Sequence, residues 1–382
     1  MKTYLTHARI VTPKDTLDDA ALVIENGLIA AINPETAPKD AREIDLQGRL
    51  LLPGLVDLHC DALEKEIEPR PGVHFPLDFA INNADRRNAL AGITTIFHAL
   101  SFANEELGVR NNAFAAEIAR AVHQERTHLL MDNRVHCRYE VTDSEAPSLL
   151  LKLLEHDEIH LLSFMDHTPG QGQFKSDAAY REYLAKSYKK SDAEIDQLLA
   201  EKHAAGAGSE ARMRLLAEAA HARGVQVASH DDDTPEKAAF VHGLGATISE
   251  FPINLETAQA ARALGMATLF GAPNILRGKS QSGSMRALDA VLNNVADCLC
   301  ADYAPAAMLP ALLKLPELAG ISLSQAIALA SHNPARAAGL HDRGSIATGL
   351  RADLIAVSMQ SSTARIEGVW VQGEARVMMR GL

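Results

Sequence analysis

Apolar residues recur along this chain in two rhythms. Short alternating or uniformly apolar runs have strand length, and longer stretches repeat at helical spacing. The first fifty residues carry only the strand rhythm. Residues 4–11 alternate, 21–25 are apolar, Asn26-Gly27 marks a hairpin turn, and 28–32 return. The same rhythm reappears near the C-terminus at residues 349–357 (GLRADLIAV) and 366–371, the latter followed by Gly373. Neither end is large enough to bury a core alone. The pattern therefore predicts one small composite β-domain, sandwich-like, built from residues 1–52 and 345–382.

Between the ends, strands and helices alternate. AGITTIFHA closes a helix at Gly92 and opens a strand. Strands are predicted at 134–141, 159–165, 225–229, 248–251, 267–270 and 297–301. Helices are predicted at 113–125, 147–156, 234–243 and 191–223, the last broken near Gly206 and Gly208. A final helix spans 324–338 from a Ser cap. About eight such units imply an α/β fold, a parallel (β/α)8 TIM-like barrel over residues 53–344. The polar insert at 168–190, rich in Gly and Tyr, reads as a long functional loop at a strand end.

Composition narrows the class. The 382 residues are 47% hydrophobic and 23% charged, with a formal net charge of −12. That balance argues against nucleic acid or an anionic membrane as partner. An anionic substrate would need a local positive site. Four cysteines, none in a CxxC pair, read as small buried residues. MKTYLTHARIVTP lacks a signal-peptide core, and no run of about 18 apolar residues marks a membrane span. A cytoplasmic protein is expected, and a homo-oligomer is compatible with the sequence.

The chemistry centres on LPGLVDLHCD at 52–61, an apolar strand entered through Pro53-Gly54. His59 and Asp61 are two apart, so they share a face at the strand's C-terminal end, where a barrel keeps its active site. They form a half-site for a divalent metal, or else an ordinary polar strand end. Other strand ends extend the pattern. VHCRYEV places His136, Arg138 and Glu140 on one face, HLLSFMDH ends in Asp166-His167, VQVASHDDD reaches His230, and DCLCADY reaches Asp302. Such convergence points to a divalent metal site. Asp231 reads as a support for a ligand, and Asp232 and Asp233 as helix caps.

Phosphate-type chemistry has its own candidate in GAPNILRGKSQSGS at 271–284. Its glycines, Gly278 among them, let backbone N–H groups approach an anion. Arg277 supplies a bidentate fork and Lys279 a point charge, while Asn274, Ser280, Ser282 and Ser284 add polar groups. The plain alternative is a turn-rich linker. Lys65, Arg70 and Arg138 are further candidates for substrate binding. Each is equally readable as half of an ion pair, and Arg138 as an orienting partner of Glu140.

With these motifs in hand, the chain resembles the amidohydrolase superfamily over nearly its whole length, from LLPGLVDLH to GLRADLI. RPGVHFP, AGITT, HCRYE, SFMDHTPGQGQF, ASHDDDT, GAPNILRGKSQSGS and ADYAPAAML are similar to its branch of phosphonate-pathway diphosphatases. Two departures from the wider superfamily, His59-x-Asp61 for His-x-His and no bridging lysine, are shared with that branch. Within that branch an Arg is expected in the Pro-Gly-Gln-x-Gln loop, where this chain has Gly172. The resemblance implies two divalent ions, Zn, Mn or Fe, with His59 and Asp61 on one and His167 and His230 on the other. It implies Glu140 as the bridge, and Asp302 as the group that binds the first ion or takes the proton of the attacking water. The implied reaction cuts a phosphorylated ribose, α-D-ribose 1-methylphosphonate 5-triphosphate, into the 5-phosphate and diphosphate. The same machinery would also serve hydrolysis of a C–N bond, as in a deaminase or cyclic-amide hydrolase. A non-catalytic metal-binding scaffold is the third reading.

Overall fold

The computed structural model describes residues 2–103, 111–166, 181, 191, 195–196, 206, 208–280, 283–360 and 363–379. The N-terminal strands are β1 (Lys2–Val11), β2 (Thr16–Glu25), β3 (Leu28–Ile32), β4 (Arg42–Asp45) and β5 (Leu50–Pro53). The barrel strands are β6 (Leu55–Cys60), β7 (Ile93–Phe102), β8 (Asp132–Glu140), β9 (Leu161–Met165), β10 (Gln226–His230), β11 (Ile248–Glu250), β12 (Ala267–Gly271) and β13 (Cys298–Cys300). The C-terminal strands are β14 (Leu354–Gln360), β15 (Thr363–Val371) and β16 (Glu374–Met378).

Both chain ends build one mixed sheet, in the order β16-β15-β14-β5-β1-β2-β3, with β4 also on β1. Its hairpins turn where the sequence put them. Asn26 and Gly27 have φ of 53° and 81°, and Gln372 and Gly373 have 51° and 73°. Two successive left-handed residues give the turn whose twist matches paired strands. Trp370, Leu5, Leu22 and Ile29 pack together in its core.

The second sheet is wholly parallel, running β6 through β13 in order. It closes at its C-terminal end. Cys60 bridges to Asp302, Asp61 donates to the Asp302 carbonyl at 2.9 Å, and Asp302 donates to the His59 carbonyl at 2.9 Å. Val56, Leu58, Phe97, Leu161, Ile248, Leu269, Cys298 and Cys300 fill the interior. All four cysteines are free and buried. Among the described residues, no helix is long and apolar enough to cross a membrane.

The run at 52–61 divides in two at Gly54. β5 belongs to the mixed sheet and β6 to the barrel. A Cβ on Gly54 would lie 2.1 Å from Thr94 Oγ1, so the crossing strands leave room only for glycine. The two sheets share one apolar core in which Leu50, Leu52, Ile355 and Val357 meet Ile96, Leu299 and Leu312.

The last predicted helix is two helices, Leu323–Ala328 and His332–Ala337. Ser322, rather than Ser324, caps the first, in a capping box with Gln325. Pro334 has no N–H to continue the ladder. The carbonyls freed at the break dock the barrel: Leu329 accepts from Leu299 N at 2.6 Å, and Ala330 from Val56 N at 2.8 Å.

Candidate active site

The cluster forms where the barrel strands stop. Asp231, Phe251 and Asp302, with φ of 55°, 54° and 53°, lie just past β10, β11 and β13. Their backbone N–H groups reach the next strand: Asp231 to Glu250 O at 2.9 Å, Phe251 to Leu269 O at 2.8 Å, and Asp302 to His59 O at 2.9 Å. Left-handed conformations cost non-glycine residues about 1–3 kcal/mol each and gather at functional sites. Here they turn three side chains into one cavity of about 240 Å³.

His59, Asp61, Arg138, His230, Asp231 and Asp302 line that cavity. His59 Nε2 is 3.4 Å from Asp61 Oδ1, and its Nδ1 is 3.4 Å from Glu250 Oε1. His230 Nδ1 is 3.4 Å from Asp231 Oδ2. Among the described residues, two sets of side chains bring ligand atoms within 4.8 Å of one another: His59, His230 and Glu250, and His59, Asp61 and Asp302.

Glu250 is completely buried at the end of β11. It accepts from Ser163 Oγ at 2.9 Å. Sequence reasoning missed it because it reads the strand through Phe251, which leaves Glu250 inside the strand, whereas it ends the observed strand Ile248–Glu250. The signal was nevertheless the one seen elsewhere, an acidic residue closing an apolar strand. The same reasoning set His136 on the ligand face without a role. Its Nε2 is 3.7 Å from Glu250 Oε2, and its Nδ1 is 3.0 Å from the Leu58 carbonyl.

The electrostatics are those of a site short of positive charge. Burial and the neighbouring Asp61 push the Asp302 carboxyl up to about 6. Burial disfavours charge on His59, but Glu250 and Asp61 outweigh it and push that imidazole up to about 10. Burial also opposes charge on Glu250, yet the charged His59 ring 3.4 Å away holds it ionised, below the usual carboxylate range. Burial holds His136 neutral, down to about 3. Since the Leu58 carbonyl can only accept, the proton of neutral His136 sits on Nδ1. Its Nε2 then faces a carboxylate without a proton, and it is buried with no hydrogen-bond partner. Clustered acids and bare imidazole nitrogens of this kind suit a borderline or hard divalent cation.

The remaining predicted residues separate into groups. Glu140, buried at the end of β8, accepts from Thr142 Oγ1 at 2.9 Å and does not border the cavity. His167 and Ser282 lie outside the described residues. Arg138 touches Asp61 and His230, each at 3.3 Å, and none of its hydrogen bonds given by the structure reaches Glu140. The segment after β12 starts as a short helix, Ala272–Arg277, ended by Gly278 at φ 69°. Asn274, Arg277, Ser280 and Ser284 line the same cavity as the acids. Arg277 Nη1 donates to Tyr303 Oη at 2.9 Å. Asn274 Oδ1 accepts from Ala287 N at 3.1 Å and so ties the next segment down. Lys65, Arg70 and Lys279 are exposed and do not border the cavity. Of the acidic run, Asp232 accepts from Ser229 and Ser249, both at 2.6 Å, and Thr234 caps the following helix. The predicted caps at Asp232 and Asp233 thus give way to Thr234, because Asp232 is drawn inward between β10 and β11.

Comparison with known proteins agrees with this architecture. The amidohydrolase family profile matches residues 50–381, and the NagA composite domain matches residues 4–51. The chain therefore belongs to the amidohydrolase family, and it is a hydrolase. It is 36% identical to alpha-D-ribose 1-methylphosphonate 5-triphosphate diphosphatase of Escherichia coli (strain K12) over 359 residues, 93% of this chain and 95% of that one. It is 37% identical to a dihydroorotase of Syntrophus aciditrophicus over 99 residues, 25% of this chain and 21% of that one. In structure it is similar to N-acetylglucosamine-6-phosphate deacetylase from Pasteurella multocida, with a TM-score of 0.65 at 17% identity, covering 98% and 99% of the two chains.

Proposed function

We propose that the protein is a cytoplasmic, divalent-metal-dependent hydrolase of a phosphoanhydride. Its substrate is α-D-ribose 1-methylphosphonate 5-triphosphate or a close analogue, and its products are the 5-phosphate and diphosphate. The carrying observation is the 36% identity, over 93% of the chain, to the diphosphatase of that substrate. The make-up of the cavity supports the reading, because ligand-type groups share its lining with Arg277, Ser280 and Ser284.

His59, Asp61, His230, Glu250 and Asp302 would hold the metal, with Glu140 and His167 as further candidates from the family resemblance. A divalent ion makes water more acidic and stabilises charge on the entering and leaving oxygens. Asp302 takes the proton of the attacking water on its carboxylate. Without an ion, burial and Asp61 push this carboxyl up to about 6, and a bound cation would lower it, so it is ionised and free to accept a proton at neutral pH. Arg277 grips a phosphate with two N–H groups, assisted by hydroxyls of Ser280 and Ser284. In a chain of net charge −12, that arm must attract the polyphosphate locally.

The test is ³¹P NMR of the metal-loaded protein with this triphosphate in ¹⁸O-water. Diphosphate and the 5-phosphate are expected, and the labelled product identifies the phosphorus attacked. No turnover with Zn²⁺, Mn²⁺ or Fe²⁺ would remove the assignment. The local likeness to a dihydroorotase favours C–N hydrolysis as the second reading. A screen of hydantoins, N-acyl amino acids and nucleobases for released amine or ammonia separates the two.

A further inference from the structure

We propose that Arg138 is a resident cation of this site and that its guanidinium restricts the site to one divalent ion. The inference rests on the metal-dependent reading above and concerns how many ions the residues admit.

β8 runs beside β9, and Arg138 pairs across to Ser163 within the barrel wall. Its side chain is only 8% exposed. One Nη lies 3.3 Å from Asp61 Oδ1, and the other lies 3.3 Å from His230 Nε2 and 3.3 Å from Met165 Sδ. Its Nε is buried without a hydrogen-bond partner. The described polar neighbours of this guanidinium are therefore ligand-type residues, and Asp61 is its ion-pair partner. A buried arginine keeps its charge, so this cation cannot be titrated away.

The two candidate ligand sets share His59. Arg138 straddles them, occupying Asp61 from one and His230 from the other. A second ion about 3.5–4 Å from the first would have to displace the guanidinium or share its space. Arg138 also places a permanent positive charge beside Asp61, and a second divalent ion close to it would meet like-charge repulsion in a low-dielectric site.

The test is metal stoichiometry. Wild type, Arg138→Lys, Arg138→Met and Arg138→Gln are stripped with chelator and reloaded with excess Mn²⁺. Free ion is then removed, and bound Mn is counted by mass spectrometry and examined by EPR. One uncoupled Mn²⁺ per chain is expected in wild type and in Arg138→Lys. Two, with the exchange-coupled spectrum of a close pair, are expected in whichever neutral variant folds. Two coupled ions in wild type overturn the proposal without any variant. One ion throughout also overturns it, and a raised KM in the neutral variants would then make Arg138 a substrate-binding residue. No bound ion in any form would instead remove the metal-dependent reading itself.

Discussion

At the residue scale, Glu250 and Asp302 play different parts. Glu250 is fully buried, bonded by Ser163 and faced by His59 and His136, so it can hold other groups but has no open side. Glu250→Gln keeps the shape and removes the charge. We expect metal affinity to fall at least about 10–100-fold, the scale seen when groups supporting a metal site are lost, as read by metal titration. Asp302 borders the cavity and carries a raised pKa, so it can exchange a proton. Asp302→Asn should lower kcat by roughly 10²–10⁴-fold with a smaller change in KM. In wild type the base must be deprotonated, so kcat/KM should fall as pH drops. The limb should lie at or below about pH 6, since a cation beside the carboxylate lowers its pKa. A flat profile through that range would argue against Asp302 as the base. Arg277→Ala should raise KM for the triphosphate about tenfold or more while leaving metal content unchanged, which steady-state kinetics and metal analysis would check.

At the element scale, the site depends on where strands stop and how they cross. Gly54 separates the last strand of the mixed sheet from the first strand of the barrel, and Thr94 fills the space a side chain would need. Gly54→Ala should therefore push β6 and β7 apart, displacing His59. We expect a loss of about 1–3 kcal/mol, typical of overpacking, measured as a lowered urea midpoint. An unchanged midpoint would mean that Thr94 rotates away freely. The break between Leu323–Ala328 and His332–Ala337 has an opposite logic, since its irregularity makes the contact. Carbonyls released there bind the backbones of β6 and β13, the two strands whose meeting closes the barrel.

For the molecule as a whole, charges at the opposite end of the barrel join it to the mixed sheet. Asp132, at the start of β8, meets Arg134, Arg343 and Arg351, and Arg343 also reaches Thr95 and Asp342. Burial opposes charge on Asp132, but Arg134 and Arg343 overcome it and hold the carboxyl down at about 2. A depressed pKa adds stability that is fully present above the unfolded value near 4 and is lost as pH falls towards 2. Asp132→Asn should therefore cost about 2 kcal/mol at pH 7, and the difference from wild type should shrink below pH 4. Denaturant melts of both proteins from pH 7 downwards would test this. A gap independent of pH would assign the loss to shape instead of charge.

The sequence by itself determined the layers, the hairpins and most strand boundaries. These follow from local rules: alternation, helical spacing, and glycine or asparagine where the backbone must turn left-handed. It also determined that imidazoles and carboxylates close several strands, because a strand's face follows directly from residue parity. Only the tertiary structure decided which of these groups meet. Glu250 and His59 are 191 positions apart and touch because strands β6 and β11 share one barrel mouth. The same holds for Arg138, which the sequence placed beside Glu140 by parity and the fold directs to Asp61 and His230. Local pattern assigns a side chain to a face, while barrel closure and the twist of each strand end determine its neighbours on that face.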